Sequence, residues 1–178
     1  MGGDFGLEGI CKAHDVVVFD RSALFAPLNQ PGAAGERFEE FVGVIASLPN
    51  RLVPQHLLQW LAASDSYMSR ILHNAFQDKT AGVGRKDHKA LRRKTMDLVW
   101  KGEISEEDRY SLLLAVALVR DNQKHKAKST AYITGLSRNI EHYHKLLNFP
   151  EVKREEAMGY LWNGQVYAPV QPKVQTLQ

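Results

Sequence analysis

The sequence is poor in cysteine and has no long apolar run, and each absence excludes a class of protein. Its single cysteine, Cys11, cannot form an intrachain disulfide, which suits a reducing compartment. The longest apolar run, residues 112–119, is too short to span a bilayer. The first thirty residues lack a basic start followed by an apolar core, so we expect no signal peptide. These absences predict a soluble, cytoplasmic protein.

Two common kinds of site also lack their sequence signatures. The glycine stretches GAAGE and GVG have neither the flanking strand nor the Lys and Ser/Thr of a nucleotide-binding loop. His142 and His144 have no cysteine or third histidine at zinc-ligand spacing. A phosphate-binding loop and a zinc site are therefore both disfavoured.

The rest of the composition is that of an ordinary globular protein with unevenly placed charge. A hydrophobic fraction of 44% in 178 residues is enough for one domain with a real core. The net charge is only +3, but RKDHKALRRK (85–94) carries six Lys/Arg against one Asp. Acidic residues gather elsewhere, around 36–40 and 103–108. This arrangement permits a polyanionic partner without requiring one.

Strand and helix patterns alternate along the chain. A β-branched run at 16–19 indicates a buried central strand, and apolar residues at helical spacing follow it. We predict an α/β protein with a small parallel sheet between helices. The strands are expected at 16–19, 51–54 and 129–135, the helices at 35–48, 55–64, 67–76, 86–101, 106–121 and 137–147, and a loop at 80–84.

The end of the chain has a different pattern. Asn163-Gly164 lies between aromatic and β-branched flanks, which predicts a hairpin with a type I′ turn. The last eight residues have the composition of a loose tail. We therefore divide the chain into an α/β domain (1–152) and a C-terminal hairpin with a flexible tail (153–178).

Candidate functional residues follow from the expected sheet. Functional side chains gather at the carboxyl ends of parallel strands, where Asp20 ends the first strand in DVVVFDRSALF. Asp108 begins the apolar helix, and Asn139 and Glu141 follow the second strong strand. Oxygen ligands that converge in this way suit Mg²⁺ or Mn²⁺, which hold a phosphate and activate a water.

Each of these residues also has a purely structural interpretation. Asp20 can cap the turn after its strand, and Asp108 can satisfy free N–H groups in the first turn of a helix that Ser105 opens. Asn139 and Glu141 can be ordinary polar residues near a helix start. The pattern of single residues leaves both interpretations open.

The order of the motifs resembles that of the PIN domain, a metal-dependent ribonuclease fold found in many toxin–antitoxin toxins and RNA-processing enzymes. The likeness covers residues 15–152 and lies in DRSALF, L-P-x-x-x-V-P with its helix, DRYSLLLAVAL, and ITG with RNIEHY. It implies a four- or five-stranded parallel sheet between helices. It also implies an acidic pocket with one or two Mg²⁺ or Mn²⁺ ions, and hydrolysis of single-stranded RNA.

The resemblance assigns roles to individual residues. Asp20 and Asp108 would be metal ligands, and Asn139 would complete the catalytic pocket. Ser22 would support Asp20, while Gln59 and Glu141 would be further groups around the ligands. The implied activity is that of a metal-dependent endoribonuclease.

The chain departs from the family pattern at three points. Gln59 stands where the family has its second acid, Arg21 follows the first Asp where a small residue or Thr is usual, and residues 135–137 lengthen the ITG segment. These departures favour an alternative function, a catalytically degenerate module that binds RNA or a protein partner. A subunit of a larger assembly, an antitoxin as partner, and a homo-oligomer are further options. His142 and His144 after Arg138-Asn139 also resemble the signature of the all-helical HEPN ribonucleases, which the strand at 16–19 disfavours.

The basic helix has two interpretations of its own. A solvated charged face is the common role of such a segment, but Lys and Arg on phosphates also supply most sequence-independent affinity for RNA. The candidate RNA-binding residues are Arg85, Lys86, Lys89, Arg92, Arg93 and Lys94. Trp60, Trp100 and Trp162 are expected to be core or interface anchors.

Overall fold

The chain folds into alternating helices and strands, as predicted. The computed structural model describes residues 6–29, 37–84, 88–124, 129–147, 152–162 and 167–170. The helices are α1 Leu7–Ala13, α2 Arg21–Phe25, α3 Phe38–Ala46, α4 Gln55–Ala63, α5 Tyr67–Phe76, α6 Lys89–Trp100, α7 Glu106–Lys124 and α8 Ser137–Leu146, with 3₁₀ turns at Ala26–Asn29 and Arg154–Glu156. The strands are β1 Val16–Phe19, β2 Arg51–Pro54, β3 Thr80–Ala81, β4 Thr130–Thr134, β5 Ala157–Trp162 and β6 Tyr167–Val170.

The strands form one sheet in the order β3-β2-β1-β4-β5-β6. β1 to β5 are parallel, and β6 runs antiparallel to β5 at the edge. β1 lies between β2 and β4, with Val17 opposite Ala131 and Val18 opposite Tyr132. The predicted α/β class with a parallel sheet is confirmed.

Helices cover β1 on both faces of the sheet. Val17 and Phe19 belong to a core cluster with α3, α4 and α5, whereas Val18 belongs to a second cluster with α6, α7 and α8. Side chains alternate along a strand, so the next even position, Asp20, points with Val18 toward the second cluster. The backbone at Asp20 is still extended, with φ −104° and ψ 171°. The alternation therefore carries this carboxylate to the side of the sheet that α7 and α8 cover.

Most predicted elements match the observed ones, and the differences lie in short segments. The predicted loop at 80–84 is wrong for its first two residues, because Thr80 and Ala81 pair with Val53 and Pro54 as strand β3. Neither α1 nor α2 was anticipated. Both are only five to seven residues long, which is too short for apolar periodicity to be read.

The C-terminal strands join the main sheet. β5 pairs in parallel with β4, with Tyr132 opposite Gly159, so the segment after residue 152 supplies the fifth strand. The predicted hairpin is present as β5 and β6, with Trp162 paired to Tyr167. The predicted type I′ turn has two residues and would instead pair Trp162 with Gln165, so the observed register does not match that turn type. The Asn163-Gly164 turn itself and the tail lie outside the described residues.

Within the described ranges, no helix combines the length and the apolar character that crossing a membrane requires.

Candidate functional site

Three residues that are distant in sequence meet at the carboxyl end of β1. The Asn139 amide donates from Nδ2 to Asp20 Oδ2 at 3.3 Å and to Asp108 Oδ2 at 3.1 Å. Ser111, one turn after Asp108, donates from Oγ to the Phe19 carbonyl at 3.0 Å and so fixes α7 against the strand end. The three residues lie on different elements, the end of β1, α7 and α8, which the sheet topology brings together. We call Asp20, Asp108 and Asn139 the acid cluster.

The Asp20 carboxylate accepts four hydrogen bonds from the protein. Its Oδ1 accepts from the Ser22 hydroxyl at 2.7 Å and from the Ala23 N–H at 2.9 Å, which makes Asp20 the N-cap of α2. Its Oδ2 accepts from the Tyr132 hydroxyl at 2.7 Å as well as from Asn139. The structural interpretation of Asp20 as a cap therefore holds, and the cap is also part of a larger polar network.

Ser22 joins the acid cluster to β4 and α7. Its hydroxyl bonds Asp20 and lies 3.0 Å from Thr134 Oγ1, and it accepts from the Gly135 N–H at 2.9 Å. Its backbone N–H donates to Asp108 Oδ1 at 3.1 Å. The predicted support of Asp20 by Ser22 is present in this geometry.

The approach of β4 to Ser22 depends on a glycine. A Cβ atom on Gly135 would lie 2.7 Å from the Ser22 carbonyl oxygen, which no relaxed contact allows. A residue without a side chain lets the two backbones come this close. Close packing against the Ser22 backbone thus explains the glycine at position 135, in the lengthened ITG segment.

The start of α7 matches the predicted cap. The Ser105 hydroxyl accepts from the Asp108 N–H at 3.1 Å, three residues along, as an N-cap does. Asp108 lies in the first turn of α7, where its carboxylate also complements the helix dipole. The Asp108 side chain is thereby held where it accepts from the Asn139 amide.

Burial makes the two carboxylates difficult to ionise. Asp20 is fully buried and Asp108 is 2% exposed. Burial, only partly offset by hydrogen bonds, raises the pKa of Asp20. Burial first, and the Asp20 charge second, raise the pKa of Asp108 to about 7. Burial and the same two acids raise the pKa of Tyr132 far above its usual range, so its hydroxyl stays a donor to Asp20.

These residues, as arranged, do not fit a Mg²⁺ or Mn²⁺ ion. A carboxylate has about four lone-pair positions, and protein donors occupy all four on Asp20. The amide group between Asp20 and Asp108 presents N–H donors to both, where a cation would lie. The remaining oxygens of the acid cluster are those of Asp108 and the buried Asn139 Oδ1, which has no partner among the described residues, whereas these ions take about six. No group of three or more His, Cys, Asp or Glu side chains suited to a metal occurs in the described part of the chain.

The other residues assigned around the site lie apart from its interior. Gln59 is exposed on α4, and no hydrogen bond among the described residues joins it to the acid cluster. Glu141 is exposed on α8, whereas Asn139, two residues earlier, is fully buried. Gln59, which the resemblance places at the position of the family's second acid, is thus on the surface.

The basic segment forms the outer side of α6. Lys89, Arg93 and Lys94 are exposed, whereas Arg92 is half-buried and donates to the Val83 carbonyl. Arg85 and Lys86 lie outside the described residues. The exposed residues form a basic surface, and no hydrogen bond or ion pair among the described residues joins them to the acid cluster.

The three tryptophans divide between core and surface. Trp162 is fully buried and stacks on Phe41, and Trp60 packs partly buried against the first core cluster. Trp100 is 75% exposed, so a place in the core is wrong for this residue.

Sequence reasoning missed two members of the polar network, Tyr132 and Thr134. Both lie on β4 on the same face as Asp20, because alternate residues of a strand share a face. The polar side chains at every second position of STAYITG were a signal for this. Their contact with Asp20 depends on the register of β4 against β1.

Comparison with protein-family models, with curated proteins and with solved structures found no match to the chain.

Proposed function

We propose that this chain is a PIN-like domain whose metal pocket has become a structural polar core, and that it works by binding single-stranded RNA. The observation that carries the proposal is the Asn139 amide, which donates to both Asp20 and Asp108. Between two neighbouring buried carboxyl groups, an uncharged amide that donates hydrogen bonds to both can take the position that a cation would otherwise occupy. Metal-dependent endoribonuclease activity stays a prediction that the experiments below decide.

The outer side of α6 supports RNA as the partner. Lys89, Arg93 and Trp100 lie within about 40° of one another around the helix axis, since each residue advances about 100°. Basic side chains contact the backbone of a single strand, and an exposed aromatic ring stacks on a base. Exposed Trp100 at the end of a basic helix provides both elements on one face.

A metal titration tests the loss of the metal pocket. We expect no binding of Mn²⁺ in the low millimolar range by calorimetry, for the wild type and for Asp20→Asn alike. Asn139→Asp serves as a positive control, because it replaces the amide donor by a third carboxylate. Stoichiometric binding by the wild type that Asp20→Asn removes would refute the proposal and restore the nuclease prediction.

RNA binding is measured separately, in EDTA, by fluorescence anisotropy with a labelled oligouridine. Trp100→Ala should weaken binding about tenfold, within the range of one stacked base. Lys89→Gln with Arg93→Gln should lower the salt dependence of log Kd by about 1.4, or about 0.7 for each lost phosphate contact. Arg70→Gln, an exposed arginine on α5, is the matched control.

The outcomes separate the candidate functions. Intact RNA recovered from the bound complex with Mn²⁺ present supports a binding module. Metal-dependent cleavage refutes it. Absence of any RNA binding also refutes it and leaves the protein-partner alternative, for which size-exclusion chromatography of the chain is the next measurement.

A further inference from the structure

Arg21 is held in an aromatic clamp beside the acid cluster. Its guanidinium carbon lies 4.7 Å from the ring centre of Trp60 and 5.7 Å from that of Phe25. The two rings meet edge to face at 6.1 Å. These cation–π contacts hold the guanidinium in place without using a hydrogen-bond acceptor, so its N–H groups are not satisfied by the two rings.

The charge of Arg21 has no partner among the described residues. Its Nε atom is buried and makes no hydrogen bond, and no ion pair or side-chain hydrogen bond involves this arginine in that part of the chain. The nearby acid, Asp108, is engaged instead with the Ser22 N–H and the Asn139 amide. Arg21 does stabilise the ionised form of Asp108, so the two are neighbours without being paired. A half-buried guanidinium without a protein partner has N–H donors available for an anion.

The surroundings favour a nucleotide as the source of this anion. Trp60 lies on α4, and one helical turn before it exposed His56 stacks in parallel on Tyr110, with ring centres 4.1 Å apart. The outer face of the His56 ring is a platform on which a base can stack. A guanidinium fork matches the geometry of phosphate oxygens.

We infer that the Arg21 side chain, clamped by Trp60 and Phe25, binds a phosphate group of a nucleotide without a metal ion. The identity of the full ligand as RNA rests on the proposed function, but recognition of phosphate at Arg21 does not. Arg21, which stands where the family pattern has a small residue or Thr, is then the anion-binding group beside the acid cluster.

The first experiment compares RNA affinity across salt concentration in EDTA. Arg21→Gln should weaken oligouridine binding about tenfold, the loss of one charged hydrogen-bonded contact, and lower the salt slope by about 0.7. Arg21→Lys keeps the positive charge but loses the paired N–H donors of the guanidinium. It should therefore retain the salt dependence of log Kd and bind oligouridine more weakly. Arg70→Gln should stay within about twofold of the wild type. Equal effects of Arg21→Gln and Arg70→Gln would overturn the inference while leaving RNA binding intact.

A second experiment does not depend on RNA binding. The Arg21 Nε–Hε signal, identified by its loss in Arg21→Gln, is followed by NMR during titration with uridine 5′-monophosphate, with uridine, and with acetate. A shift with the monophosphate alone supports the phosphate site even if oligouridine fails to bind. No shift with the monophosphate, or an equal shift with acetate, overturns it.

Discussion

The pKa of Asp108 predicts an unusual dependence of stability on pH. The folded chain holds a proton on this carboxyl up to about pH 7, whereas an unfolded chain releases it near pH 4. The stabilisation is therefore complete below about pH 4 and is lost as the pH rises through 7. Two pH units below 7, each worth about 1.4 kcal/mol, give a loss of about 3 kcal/mol between pH 5 and pH 8. For a chain of this length that corresponds to about 6 to 12 °C in Tm.

Asp108→Asn removes this titration and should make the curve of Tm against pH less steep, although buried Asp20 still contributes a slope. The amide keeps one oxygen as an acceptor, but its NH₂ meets one of the two donors around Asp108, which adds a cost that does not depend on pH. The diagnostic quantity is therefore the slope of Tm against pH, and not the difference in Tm at one pH. Thermal unfolding by circular dichroism between pH 5 and pH 8 measures it, with Asp65→Asn, an exposed acid, as control. Parallel curves for the wild type and Asp108→Asn would show that the burial argument is wrong.

Three further variants test the packing of the polar network and are measured by urea unfolding. Gly135→Ala should destabilise the fold by about 1 to 3 kcal/mol, because its Cβ meets backbone at the Ser22 carbonyl; a neutral result would mean that the turn relaxes freely. Tyr132→Phe should cost about 1 to 3 kcal/mol by removing a donor from buried Asp20, and an unchanged midpoint would contradict the role of this bond. Ser105→Ala should cost about 1 kcal/mol through loss of the α7 cap, whereas Ser64→Ala, just after the end of α4, should cost less.

Much of the fold was predictable because its signals are strong and local. β1 and β2 match their expected bounds, and the continuous β-branched run of β1 is the stronger of the two signals. The five apolar positions of the α3 region, from Phe38 to Leu48, are all buried as their spacing indicated. Short α1 and the two-residue β3 could not be recognised, because tertiary contacts rather than periodicity hold them.

The candidate site was predictable only in its outline. Parallel strands end at one edge of a sheet, so the meeting of Asp20, Asp108 and Asn139 follows from topology. The saturation of Asp20 does not follow from the sequence, because it requires the register that sets Tyr132 opposite Val18. Gln59 was assigned by its place in a motif, and only the rotation of α4 shows that it is exposed.

The position of β1 has a consequence for how the acid cluster can be reached. Strands flank β1 on both edges, helices cover both of its faces, and the Asp20 N–H donates to the Ile133 carbonyl at 3.2 Å. Solvent can therefore reach the backbone N–H groups of β1 and Asp20 only when the sheet and the helices on its two faces come apart. Hydrogen exchange at Val18 and Asp20 should then report the free energy of global unfolding, and a substitution in either core should change the protection of both amides equally.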